Sequence, residues 1–226
     1  MIGVFEDIFK FAMPVSCPLC FKNDIEICAT CLNNLKSPRL RCLKCGCKNP
    51  HGKYCFSCLS DFKPDLVLSC FAYDGQIRDL VHQFKYEDVT SLKKVFAKPI
   101  SNLIKQILNF KSYTLVPIPL SKKRLRFRGY NQSLLIAQEI SKVLHLEVCE
   151  PLEKINIKSS QVQTGSKQER RKNVKKAFLV KNDYEIPPNI FLIDDVITTG
   201  ATVEEATKVL KKAGAKSVIV ISLAMD

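Results

Sequence analysis

Residues 190–203 read IFLIDDVITTGATV. A short apolar run, 190–193, delivers two adjacent carboxylates, Asp194 and Asp195. Thr198, Thr199, Gly200, Ala201 and Thr202 follow as a turn of small residues. Val203, Ala206, Val209 and Leu210 then fall on one face of a helix. A buried strand ending in acids, a hydroxyl-rich glycine turn and a helix N-terminus together describe a phosphate cradle. The turn can offer backbone N–H groups and hydroxyls to a phosphate. The two aspartates can accept from vicinal hydroxyls or hold a hydrated Mg²⁺. The same residues could merely cap the helix. A lone TTG would favour capping; the full order of strand, DD, turn and helix favours the cradle.

Working outward, the chain from Pro64 onward alternates strand and helix. Strands are expected at 66–73, 113–118, 177–180, 190–194 and 216–223. Helices are expected at 76–85, 91–108, 131–144 and 201–213. Strands separated by helices imply an α/β, mainly parallel sheet covered by helices, with ligands at the carboxyl ends of its strands. The domain is therefore placed at 64–226, after a cysteine-rich module at 1–63.

The expected strand at 113–118 opens into SKKRLRFRGYNQ, 121–132. Lys122, Lys123, Arg124, Arg126 and Arg128 put five cations into seven residues. Such a run is ordinarily a solvated loop. Here it leaves a strand end in the same sheet as the phosphate turn. Arg128, Gly129, Asn131 and Gln132 are accordingly read as anion-binding. A second polar stretch spans 154–176, with 158–167 read as a mobile loop and Arg170 and Arg171 beyond it. A lid over a reactive sugar and an ordinary surface loop both fit that pattern. Lys85, in FKYED, is a further candidate cation near a helix end.

Eight of the eleven cysteines form four C-x-x-C pairs: Cys17/Cys20, Cys28/Cys31, Cys42/Cys45 and Cys55/Cys58. Each pair can place two thiolates on one tetrahedral ion, and two pairs complete a structural Zn²⁺ site with no position open for water. Sequential pairing gives two zinc ribbons; interleaved pairing fits the same spacing. Cys47 and His51 sit in the second loop as possible substitute ligands, with the bystander reading favoured for each, and Cys70 and Cys149 are read as small core residues. Residues 1–63 lack the apolar periodicity for a core of their own. Metal binding is therefore expected to supply folding free energy, about 10 kcal/mol per site.

The formal net charge of +13 points to polyanionic partners. The N-terminus carries acids where a secretory leader would be basic, and no apolar run approaches the roughly 18 residues of a membrane span. Ile2, Phe5, Ile8 and Phe9 can line one helix face, read as docked on the cysteine module rather than on lipid. A cytoplasmic location is expected, in which cysteines serve metals before disulfides.

With these residues in view, the chain resembles the ComF family, which joins a zinc module to a phosphoribosyltransferase-like domain. The resemblance rests on the four C-x-x-C pairs, AYDGQIRDLVHQFKY at 72–86 and VPIPLSKKRLRFRGYNQ at 116–132. It also rests on Gln163 to Asn173 (Q-x6-R-x2-N) and on the turn at 194–202. It implies a type I phosphoribosyltransferase fold that binds 5-phosphoribosyl 1-pyrophosphate (PRPP) with Mg²⁺. Such enzymes displace pyrophosphate at the anomeric carbon through an oxocarbenium-like state. Asp194 and Asp195 would meet the ribose hydroxyls, residues 198–202 the 5′-phosphate, and Arg128 and Gly129 the same ligand. In purine-salvage relatives a third acid at the position of Thr198 contacts the purine; threonine here argues against a purine acceptor. The family association implies handling of single-stranded DNA during natural transformation, with proteins of the DNA-uptake machinery as partners. Lys122, Lys123, Arg124, Arg126, Arg170 and Arg171 would carry the nucleic acid. The alternative is a metabolic phosphoribosyltransferase acting on an acceptor that the residues do not name; they single out no catalytic residue either.

Overall fold

The computed structural model describes residues 17–22, 27–49, 51–155, 177–182 and 184–226. The readings made for Ile2, Phe5, Ile8, Phe9, Gln163, Arg170, Arg171 and Asn173, and for the loop at 158–167, lie outside them. The elements run α1 (Ala29–Asn34), β1 (Leu66–Ala72), α2 (Gly75–Tyr86), α3 (Leu92–Lys105), β2 (Thr114–Pro117) and α4 (Lys122–Arg128). They continue with α5 (Gln132–Leu144), β3 (Leu152–Lys154), β4 (Phe178–Val180), β5 (Asn189–Ile197), α6 (Ala201–Lys212) and β6 (Ser217–Met225).

Four parallel strands lie in the order β1-β6-β5-β2, with Val148 adding a parallel bridge outside β2 at Leu115. Period-two alternation sends each strand's apolar residues to two cores. Phe191, Ile193, Ile219, Ile221 and Leu223 face α2, α3 and α5 through Phe84, Phe96, Ile100 and Ile136. Ile190, Leu192, Val218 and Val220 face α6 through Val203, Ala206 and Leu210. Burial on both faces explains the near-continuous apolar run that β5 shows in sequence.

Two expectations need correcting. The strand at 177–180 is not in the parallel sheet: β4 pairs antiparallel with β3, Leu152 opposite Val180. Its apolar Phe178 and Leu152 pack over the α6-side core, so a short β-like run was correctly read but assigned to the wrong sheet. The basic run is a helix, not a loop. Ser121 caps α4 by accepting from Arg124 N, and Gly129, at φ 79°, ends it in the left-handed region.

Among the described residues the cysteine-rich segment has no separate core. Cys42, Leu43, Tyr54 and Cys58 are buried with Val67, Val203 and Leu210, so this segment shares the cover of the sheet with α6. Gly52, at φ 67°, accepts from Val67 N at 2.8 Å; a Cβ there would run into the Val67 carbonyl. Glycine is what lets the knuckle lie against β1.

Candidate phosphate site and cysteine clusters

The chain leaves β2 toward the edge at Val148 and leaves β5 toward β6, on opposite sides. The carboxyl ends of β2 and β5 therefore bound a crevice at a topological switch point. Asp194 and Asp195 lie on the β5 side. On the β2 side, residues 119–132 supply α4 and the corner into α5. Asn131 caps α5, accepting from Ser133 N and donating to Ile118 O at 3.1 Å, which fixes that corner to the strand end.

Asp194 Oδ1 accepts from Ser133 Oγ at 3.3 Å and from Asp195 N at 2.9 Å. Burial, then the charge of Asp195, pushes the Asp194 carboxyl up to about 7. Asp195 Oδ1 pairs with Lys85 Nζ at 2.8 Å, both side chains largely buried. Lys85 lies in the last turn of α2, where a cation also favours the helix dipole. Thr198 is exposed, Thr199 and Thr202 are half-buried, and Gly200 and Ala201 are buried. Gly200 takes φ 77° ahead of α6, and Ala201 N donates to Thr199 Oγ1 at 3.4 Å.

Across the crevice, Arg128 is half-buried, donates from Nη1 to Gln132 Oε1 at 2.7 Å, and lies 5.0 Å from the Tyr86 ring. Arg128 Nε and Gln132 Nε2 are buried without a hydrogen-bond partner. Two unsatisfied donors at a crevice rim are costly unless an acceptor arrives. They fit the anionic group expected there. Tyr130 Oη donates to Phe84 O at 2.5 Å, tying this corner to the end of α2.

The crevice thus gathers Asp194, Asp195, Arg128 and Lys85, with the turn at 198–202. It does not gather Lys122, Lys123, Arg124 and Arg126 as one group. These are exposed along α4, and Lys122 pairs with Glu153 at 3.1 Å. Three residues escaped the sequence reading. Ser133 reaches Asp194. Lys154, at the end of β3, has its ammonium held below the usual lysine range by burial and by Arg124, with Asp194 opposing. Arg41, from the cysteine-rich segment, donates to Thr198 O at 3.2 Å. Ser133, two residues beyond the Asn131 cap, was the one with a local signal. A cavity of about 610 Å³ adjoins the corner, lined by Tyr130, Leu134, Leu152 and Lys154 among others.

The cysteines form two sets whose sulfurs lie within 4.8 Å of one another: Cys17, Cys20, Cys28 and Cys31, and Cys42, Cys45, Cys47 and Cys55. Sulfur separations are 3.7 Å for Cys20–Cys28 and 3.4 Å for Cys45–Cys55. A tetrahedron with Zn–S bonds near 2.3 Å has edges of about 3.8 Å, so both sets fit a zinc ion. The grouping is sequential, not interleaved. Cys47, for which the sequence favours the bystander reading over that of a substitute ligand, lies 3.3 Å from Cys45. Cys58 is buried beside Cys55, making five thiols around the second position.

Asp194 generates a pH prediction. Its carboxyl titrates near 7 in the folded chain and near 3.8 when unperturbed. Between those values the folded chain keeps a proton that the unfolded chain has lost, so this group's contribution falls as pH rises. Thermal melts from pH 4.5 to 7.5 should therefore show wild type losing ground to Asp194→Asn, with the difference flattening above pH 7. Parallel curves would count against the buried, proton-holding carboxyl.

Residues 130–226 match the family described as phosphoribosyl transferase domain. The competence protein ComFC of Streptococcus pneumoniae is 35% identical over 153 residues, 68% of this chain and 65% of that protein's length. ComFC of Bacillus subtilis is 30% identical over 201 residues, 85% of this chain and 81% of the relative. Competence protein F of Haemophilus influenzae is 30% identical over 207 residues, covering 88% and 90%. With its parallel sheet, flanking helices and paired cysteine clusters, the chain belongs to the ComF family of competence proteins.

Proposed function

We propose that this chain binds PRPP with Mg²⁺ in the β2–β5 crevice and acts in cytoplasmic handling of single-stranded DNA during natural transformation. The observation that carries the ligand assignment is the acid pair at the end of β5, running into a hydroxyl-rich turn and faced by the unsatisfied donors of Arg128 and Gln132. Asp194 and Asp195 would hold the ribose hydroxyls or the hydrated metal, which when bound supplies charge neutralisation at the pyrophosphate. Residues 198–202 would hold the 5′-phosphate, and Arg128 and Gly129 the pyrophosphate side. Zinc would fill both cysteine clusters, with 1–63 acting as the zinc module and 64–226 as the phosphoribosyltransferase-like domain. The DNA role is supported by the competence names of the relatives and by the exposed cations of α4. Proteins of the uptake machinery would be its partners. Among the described residues no helix is long and apolar enough to cross a membrane. A second reading, transfer of phosphoribosyl to an acceptor, is favoured by the 610 Å³ cavity beside the corner, which offers an acceptor room.

Calorimetry with Mg-PRPP tests the site. Asp194→Ala or Asp195→Ala should lose charge-assisted hydrogen bonds worth roughly 1.5–3 kcal/mol, about ten- to a hundredfold in affinity. Equal affinity in wild type and both variants would remove the assignment. Pyrophosphate release with a panel of acceptors then separates the two readings.

Elemental analysis of protein purified without chelator should give about two zinc ions per chain, one for each four-thiolate site. Cys17→Ser or Cys42→Ser should each lose one ion; zinc-free wild type would refute it.

Single-stranded DNA affinity should fall with salt. If about six phosphates are neutralised, log K against log salt has a slope near −4, at roughly −0.7 per contact. Substituting Lys123, Arg124 and Arg126 together by alanine should shallow the slope by about two units. An unchanged slope would take the contact off α4.

A further inference from the structure

The second cysteine knuckle carries a charge arrangement that the reading above does not use. Arg41 and Lys48 form an antiparallel bridge, with Asn49 N donating to Leu40 O alongside. Bridged residues point to the same face of a ribbon, and like charges directly opposite one another are destabilising. Arg39, two residues before Arg41, shares that face along an extended chain. All three line one open cleft of about 750 Å³, with Pro38, Leu40 and Gly46 and, among the described residues, no acid. Among the described residues no carboxylate pairs with Arg39, Arg41 or Lys48. Elsewhere the surface cations Lys36, Lys122 and Lys142 do meet carboxylates. Three cations held together without a counter-charge call for an anion from outside the chain.

The cleft is continuous with the phosphate turn. Arg41 lines it and donates to Thr198 O at 3.2 Å. Leu43, two residues on, packs so closely that a Cβ on Gly200 would meet it at 2.7 Å. Tyr54 Oη and Lys63 Nζ hold Glu204, in the first turn of α6, at 2.9 and 2.6 Å. The knuckle is thus fixed to the turn, and its cations extend the positive field away from the crevice. Arg39 and Arg41 stand about 7 Å apart along the ribbon, two residues at roughly 3.4 Å each. Adjacent phosphates of an extended strand can span that separation.

We propose that the knuckle at 38–49 is a phosphodiester subsite, taking backbone phosphates of a single-stranded nucleic acid on the outer side of the 198–202 turn. The subsite rests on the phosphate-binding reading of that turn for its neighbour, but its cations bind DNA whether or not PRPP does. It is separate from the exposed cations of α4. Arg39 and Lys48 are the residues to change, because Arg41 also touches the turn.

The test compares wild type with the Arg39→Ala/Lys48→Ala double variant, using fluorescence anisotropy with labelled dT12 and calorimetry with Mg-PRPP. Zinc content, measured on both, confirms an intact knuckle, and an Arg39→Lys/Lys48→Arg variant preserves charge. The alanine variant should bind dT12 about tenfold more weakly at low salt, with the salt slope shallower by about 1.4 units, two contacts at roughly 0.7 each. PRPP affinity should stay within about twofold of wild type, and the charge-preserving variant should retain DNA binding. Unchanged dT12 affinity and slope in the alanine variant would overturn the proposal. So would loss of PRPP affinity with DNA binding intact, which would give the cleft to a small phosphorylated ligand instead. A wild type that binds dT12 and not PRPP, with the alanine variant still losing dT12, keeps the subsite and removes the reading of the turn.

Discussion

Two carboxylates forced side by side at the end of one parallel strand set the conditions for the groups around them. Poor hydration at this corner, reinforced by the neighbouring carboxylate, leaves Asp194 holding its proton up to about pH 7. Asp195 is kept against Lys85 at 2.8 Å. Ser133, Lys154 and Lys85 come from three different elements, and each approaches this pair.

The sheet's two faces solve different problems. One is closed by three helices in the ordinary way. Among the described residues the other has one helix, α6, and its cover is completed by the cysteine-rich segment and the β3–β4 pair. Leu43, Tyr54 and Cys58 do there what a further helix would do elsewhere. A small cysteine-rich knuckle thus becomes part of the core of an α/β fold, and any distortion of the cysteine cluster is felt at Gly200 and Glu204.

Much of this was legible in the residues. The apolar run at 190–193, the acids, the glycine turn and the 3.6-residue spacing of α6 are all local, and local signals survive folding. The four C-x-x-C pairs were equally plain. What escaped depends on distance in sequence. β4 has the composition of a strand, but nothing within it says that its partner is β3 rather than β2. The run at 122–128 looked like a solvated loop because its charges masked Leu125 and Phe127 and because its cap, Ser121, is an unremarkable residue. Arg41 lies 157 residues from the carbonyl it meets. Cys47 breaks the C-x-x-C spacing, so the sequence offered it only as a substitute ligand, and the fold brings it into the second cluster.

The hydrogen bond from Tyr130 to the carbonyl of Phe84, with the Arg128 guanidinium over Tyr86, joins the end of α2 to the α4–α5 corner. Lys85 and Arg128 are therefore mounted on one frame rather than on two independently hinged walls. Widening of the crevice on that side would move both cations together and would break the Tyr130 bond if they parted. The β3–β4 ribbon, outside the main sheet, meets the same corner through the pair of Lys122 with Glu153 at 3.1 Å.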